Sequence, residues 1–286
     1  MHAPPSDPVD AVRMIDALDQ AGEALGVVAD GPTVWGRTGR AAGRRVRYER
    51  GAAWLAVRSA PVARARGGSW DGNAAAEKAF GDLAGVRPPL LNLYDWADGG
   101  TAYRAELAAC LDEPMCSSTP EASLGPDPGD RWWATLRRTL ETVGRADTDR
   151  VAVDQTRIDA TVPRLLGVPA PRIERTVPSH ADLHWAHVTA HGPHVIGWDR
   201  WGHAPVGYDA AKLYAWSLAS PGTAARVRSE FPVLETELGR IAEVVAVAEL
   251  IATVDPAGHP ALFAALRTRA RDLLPPASRR RGSAGR

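Results

Sequence analysis

The first strong period along the chain runs from Pro8 to Leu25, where Met14, Ile15, Leu18, Ala21 and Leu25 line one apolar stripe between polar positions. Spacings of three and four residues predict an amphipathic helix. Asp7 is placed to cap it, and Pro8 suits its first turn, where a missing N–H is no loss. Beyond residue 32 the period changes. Thr33–Trp35, Arg45–Tyr48 and Ala53–Val57 read as short strands, and Gly39, Gly43 and Gly51 punctuate them. An antiparallel meander is the simplest arrangement. Gly67 and Gly68 open a loop, and a helix is predicted from Asn73 to Leu83. Two further strands, Leu91–Trp96 and Thr101–Leu107, meet at the turn Ala97-Asp98-Gly99-Gly100. The stretch Leu111–Asp130 is rich in Pro, Ser, Gly and Asp, has no period, and reads as a hinge or linker.

The second half is mostly helical. Helices are predicted over Trp132–Val143, Val153–Leu166, Tyr208–Leu218, Ala224–Phe231, Leu234–Val254 and Pro260–Leu274. Short strands around Val188 and Val195 would form a hairpin over His191-Gly192-Pro193. The expected organisation is α+β. An N-lobe over 1–110 holds one N-terminal helix, a five-stranded antiparallel sheet and a second helix. A hinge covers 111–130 and a larger helical C-lobe covers 131–275. A disordered basic tail closes the chain over 276–286, where Arg279, Arg280 and Arg281 read as solvated.

Composition narrows the function. Lys+Arg and Asp+Glu both number 34, so no bulk charge draws the chain to nucleic acid or a membrane surface. No uncharged apolar stretch approaches the roughly 18 residues of a membrane-spanning helix. Met1–Pro8 lacks the basic and apolar regions of a signal peptide. Cys110 and Cys116 are spaced as neither a zinc knuckle nor a CxxC redox pair. A cytoplasmic setting is the expectation. Two shortages matter below: the only lysines are Lys78 and Lys212, and the only asparagines are Asn73 and Asn92.

The chemistry concentrates in residues 179–202 and the segment after them. The chain reads Ser179-His180-Ala181-Asp182-Leu183-His184-Trp185-Ala186-His187, then Val195-Ile196-Gly197-Trp198-Asp199-Arg200-Trp201, then Gly207-Tyr208-Asp209-Ala210-Ala211. In order, spacing and flanking residues this resembles the aminoglycoside phosphotransferase and choline kinase-like family, whose pattern is H-G-D-L-H-x-x-N, then I-D-W-D/E, then Y-D-x-A. The resemblance implies a two-lobed protein kinase-like fold and transfer of a nucleotide γ-phosphate to a small-molecule hydroxyl. It casts Asp182 as the catalytic carboxylate beside the attacking hydroxyl, with His180 and Asp209 holding the loop. Asp209 is expected to act as a helix N-cap. Phosphoryl transfer needs positioned cations around spread negative charge, so the family also uses an Asn and an Asp on Mg²⁺ and an N-lobe Lys on the phosphates.

The sequence departs from that pattern at three positions. His187 stands at the Asn position, Gly197 at the metal-binding Asp position, and no N-lobe strand carries a Lys. Arg58, after the third strand, is the substitute cation for the nucleotide, although its planar fork differs from an ammonium. Asp199 lies two residues past Gly197 and would share its strand face, so Asp199 and His187 are the candidate metal ligands. Mg²⁺ prefers oxygen donors, whereas imidazole suits zinc or copper.

Three functional readings follow. Phosphate transfer is weakened or lost, leaving a pseudokinase-like or repurposed protein. Alternatively, an altered metal site keeps an ATP- or GTP-dependent enzyme working with Mg²⁺. A third reading takes His180, His184, His187, His191, His194 and His203 as the source of a transition-metal hydrolase site. Trp185, Trp198 and Trp201 are candidates for ligand stacking, with core packing as the competing role. Gly36, Gly39 and Gly43 form no recognised phosphate-binding fingerprint. From Gly222 onward seven acidic residues face ten arginines, which does not favour a polycationic substrate. A small-molecule ligand is expected and a protein partner stays open, while nucleic acid and membrane are not expected partners.

Overall fold

The computed structural model describes residues 4–36, 39–49, 51–80, 87–122, 125 and 127–273. Helix α1 spans Pro8–Leu25. Asp7 accepts a hydrogen bond from the Val9 N–H at 2.9 Å, and Gly26 ends the helix in the left-handed conformation that glycine adopts without strain. The sheet that follows is antiparallel throughout. Its strands are β1 (Val28–Ala29), β2 (Val34–Trp35), β3 (Ala41–Tyr48), β4 (Gly51–Pro61), β5 (Leu90–Asp98) and β6 (Thr101–Ala109). Their order is β1-β3-β4-β6-β5, with β2 also pairing β3.

Alternation explains this lobe's core. On β4, Ala53, Leu55 and Val57 point inward, and on β6 Ala105 and Leu107 do the same. They meet Met14, Leu18 and Ala21 of α1. The sheet has six strands rather than five. The added strand, β1, has only two residues, both exposed, and so carries no hydrophobic period for the sequence to reveal.

Helix α2 (Gly72–Phe80) packs between the lobes. Residues 81–83 of the predicted helix and the basic tail at 276–286 lie outside the described residues. The expected linker is not a free tether. Cys116 and Ser117 donate backbone hydrogen bonds to the carbonyls of Val188 and Trp185, and Ala122 donates to Trp216. Cys116, Ser117 and Ala122 are thereby tied to the C-lobe.

The C-lobe contains α3 (Asp130–Val143), α4 (Gln155–Leu166), α5 (Tyr208–Trp216), α6 (Pro221–Glu230), α7 (Glu237–Thr253) and α8 (Pro260–Leu273). It also has a two-stranded ribbon, β7 (Thr176–Ser179) with β8 (Gly202–Pro205), which the sequence pattern does not predict. Both strands are four residues long and each contains a proline, which masks any period. The predicted 188/195 hairpin reduces to one bridge, Val188 with Val195. The ribbon delivers the chain to the site: β7 ends at Ser179, immediately before His180.

The lobes meet at a close backbone approach. A Cβ added at Gly72 would lie 2.1 Å from the Asp199 carbonyl oxygen, so only glycine lets α2 reach this turn. Trp201 Nε1–H donates to the Gly72 carbonyl at 2.9 Å. Arg150 donates to the carbonyls of Gly68 and Asp199. No described helix is long and apolar enough to cross a membrane.

Candidate active site

The loop after β7 is held from below by one carboxylate. Asp209, buried on the first turn of α5, accepts the backbone N–H groups of His180 and Ala181, each at 2.8 Å. It is not a helix N-cap, because Gly207 occupies that position and the Asp209 oxygens turn to the loop. Burial pushes its carboxyl up to about 6, although the two N–H donors oppose the shift. Ala181 is left-handed, with φ +64°, a conformation that costs a non-glycine residue about 1 kcal/mol. The carboxylate pins the loop at this strained residue.

His180 completes the scaffold. It is fully buried, and its Nε2–H donates to the Ile196 carbonyl at 3.0 Å while Nδ1 accepts the Asp182 N–H at 3.3 Å. Burial, with nearby His187, depresses it to about 3, so it stays a neutral strut. The loop thereby presents Asp182. Burial alone would raise the Asp182 carboxyl, but His187, Lys212, Arg200 and His180 hold it below its usual range.

The two histidines that follow are placed together. The rings of His184 and His187 stack at 3.6 Å between centroids. His187 Nδ1–H donates to the Asp182 carbonyl at 2.9 Å. Its ring also lies against Gly197, which has φ +81°. A Cβ at Gly197 would fall 2.6 Å from His187 Cε1. The imidazole therefore fills the space in which a side chain at position 197 would begin. The other members of the histidine run go elsewhere: His194 faces Glu113, and His203 bonds to Thr148 and Thr176.

Asp199 has a different set of neighbours. It lies on a short 3-10 turn, Trp198–Arg200, not on the expected strand, so the shared-face argument does not apply. Arg58 on β4 meets it at 2.5 Å and also meets Glu106 on β6 at 2.8 Å. Asn73 of α2 donates to both carboxylates. Arg58 is thus the hub of an ionic link from the sheet to the C-lobe, and burial pushes the Glu106 carboxyl up despite it. Glu106 does not stand out in the sequence. Its signal, a buried charge on the sheet face opposite the α1 core, is visible only once the strand is paired.

Trp185, Trp198 and Trp201 are buried to 5% exposure or less. Trp198 and Trp201 pack on Phe80, and Trp185 packs on Trp132 and Trp133. Their faces are covered by protein, which removes them as ligand-stacking platforms and makes them core.

No protein-family description and no curated protein matches the chain in sequence. Solved structures do match in shape. The aminoglycoside phosphotransferase APH(4)-Ia aligns over 92% of this chain and 98% of its own, with TM-score 0.60 and 12% identity. The chain shares the two-lobed fold of that structure. Amicoumacin kinase hAmiN, solved in complex with AMP-PNP, Ca²⁺ and Ami, aligns over 94% of this chain and 97% of its own, with TM-score 0.59 and 12% identity. An ethanolamine kinase of Plasmodium vivax aligns over 94% and 88%, with TM-score 0.50 and 9% identity. At such identities the likeness establishes the two-lobed, kinase-like α+β architecture.

Within this two-lobed fold, the residues around Asp182 do not fit Mg²⁺. That ion wants carboxylate and other oxygen donors, yet Gly197 has no side chain and His187 offers nitrogen. Asp199 already answers Arg58 and Asn73.

Beneath the loop lies a charge cluster drawn from residues far apart in the sequence. Glu249 of α7 takes Arg157, Arg200 and Lys212 at 2.7, 3.0 and 3.5 Å, and the Tyr208 hydroxyl donates to it. Its sequence signal is an acid set within the apolar run of α7. Burial works against the Glu249 anion, but Lys212 and Arg200, with Tyr208 and Arg157, bring its carboxyl down to about 2. A depressed carboxylate stabilises the fold above its unfolded value near 4.5 and loses that contribution as pH falls toward about 2. Glu249→Gln is expected to cost about 3 kcal/mol at neutral pH, since one pKa unit is about 1.4 kcal/mol. Urea unfolding should show the penalty shrinking as pH falls through 4.5 and vanishing near 2. A pH-independent penalty would reject the charge-balancing role.

Proposed function

We propose that this protein has the frame of a γ-phosphate transferase acting on small-molecule hydroxyls but has lost Mg²⁺-dependent transfer, and that it now binds a small molecule. One observation carries the reading: the His187 ring lies against the Cα of Gly197, where the resemblance requires a metal-binding carboxylate. Two others support it. Arg58, the candidate phosphate cation, is engaged by Glu106 and Asp199. Asp199, the candidate rescue ligand, is engaged by Arg58 and Asn73. A thermostable mutant of APH(4)-Ia has been solved with AMP-PNP and hygromycin B, so small molecules are the ligand class to screen first. The excess of arginine over acid after Gly222 favours neutral or acidic compounds over polycations.

The test is a thermal-shift titration with ATP and GTP, each with Mg²⁺ and with Mn²⁺, alongside a phosphate-transfer assay. A ligand at 100 times its dissociation constant adds about 2.7 kcal/mol and is readily seen. The expected result is no metal-dependent nucleotide shift and no transfer. Mg²⁺-dependent stabilisation with turnover, lost in Asp182→Ala, would overturn the proposal.

A further inference from the structure

His187, at the position where the family pattern has Asn, and His184 beside it form a different donor set with Asp182. One carboxylate oxygen of Asp182 and one ring nitrogen each of His184 and His187 lie within 4.8 Å of one another. We infer that Asp182, His184 and His187 form a binding site for a zinc-class transition-metal ion. This goes beyond the loss of Mg²⁺ chemistry and does not depend on whether nucleotide still binds.

Three features support it. The donors are two imidazoles and one carboxylate, a set that favours zinc, cobalt, nickel or copper over magnesium. The second feature is an orphan. His184 is 9% exposed, and its Nδ1 is buried with no hydrogen-bond partner. A buried polar atom left unmet costs about 1–3 kcal/mol, and a ligated metal would meet it. The third is orientation. His187 commits Nδ1–H to the Asp182 carbonyl, which puts its ring lone pair on Nε2. Metal-binding histidines are commonly oriented by such a bond on the opposite ring nitrogen.

The geometry needs only modest closure. Donors on one tetrahedral zinc stand about 3.3 Å apart, so closing from at most 4.8 Å requires side-chain movements of about 1 Å. The nearby cations do not stand bare toward the ion. Lys212 and Arg200 both reach Glu249, which takes up much of their charge. The three side chains leave a fourth tetrahedral position for water or a small-molecule donor.

The experiment uses the full chain, stripped with chelator and then titrated with Co²⁺ alone and Zn²⁺ alone. The expected result is saturable one-to-one Co²⁺ binding with a visible d–d absorption band, displaced by Zn²⁺. His184→Gln and His187→Ala should each weaken binding at least tenfold, while His191→Ala and His194→Ala leave it unchanged. Circular dichroism identifies variants that keep the fold. His184→Gln is decisive because Nδ1 makes no hydrogen bond that the fold would lose. Non-saturable uptake, or binding that survives His184→Gln in the folded protein, overturns the inference. A Mg²⁺-dependent nucleotide shift would defeat only the proposed loss of transfer.

Discussion

Asp209→Ala is expected to destabilise the protein by about 3–5 kcal/mol, among the largest effects of any single substitution at the site. The carboxylate accepts two buried N–H groups, from His180 and Ala181. Hydrogen bonds to a charged acceptor are worth about 1.5–3 kcal/mol each, and alanine leaves both donors buried without partners. The strained Ala181 backbone then loses what holds it. Asn keeps one acceptor oxygen and turns an NH₂ toward the second donor, so Asp209→Asn should cost roughly half as much. Urea midpoints at neutral pH measure both. A loss below about 1 kcal/mol for Asp209→Ala would mean that the loop is held by other contacts.

The second large effect is the coupling between positions 187 and 197. Gly197→Asp alone should destabilise by about 2–4 kcal/mol. Part of this is left-handed strain at φ +81°, and part is overpacking against the His187 ring. His187→Asn alone should cost about 1 kcal/mol, the value of one net hydrogen bond, here the one to the Asp182 carbonyl. The double variant should cost less than the sum, with a coupling of about 1–3 kcal/mol, because the smaller Asn vacates the space the new Asp needs. A double-mutant cycle by urea unfolding decides it. Additivity within about 0.5 kcal/mol would show that the ring and the glycine are not a matched pair. The double variant also restores the family's metal-binding residue types, so a gain of Mg²⁺-dependent nucleotide binding there would strengthen the proposed function.

Much of the fold and part of the site are legible in the sequence alone. Helix α1 can be read to the residue because three local signals agree on it: the Asp7 cap, the Pro8 start and the apolar stripe. The order His180–Asp182, Gly197–Asp199, Tyr208–Asp209 is enough to indicate the kinase-like fold, since each piece is a short motif with its own spacing. Legibility fails where elements are short or where a role depends on distant residues. β1, β7 and β8 are too brief to show a period. Asp199 reads as a metal ligand by its place two residues from Gly197, but a 3-10 turn and Arg58 take it elsewhere. The three tryptophans read as candidate platforms, and only packing reveals that they are used within the core.

The sequence by itself determined the helices, the two-lobed α+β order, the loop carrying Asp182, and the three departures at His187, Gly197 and the missing lysine. The helices and the lobe order follow from periods within a dozen residues, whereas the loop and the departures are read through the resemblance to the family's short motifs. Tertiary structure alone decided that His187 would fill the space at Gly197, that His184 would join it beside Asp182, and that Arg58 would link Glu106 to Asp199. It also gathered Arg157, Arg200 and Lys212 onto Glu249. A side chain's local pattern fixes which way it faces, but its partner is chosen by how far apart the packed elements come to rest. That distance is set by the whole core, down to single positions such as Gly72 where a methyl group would not fit.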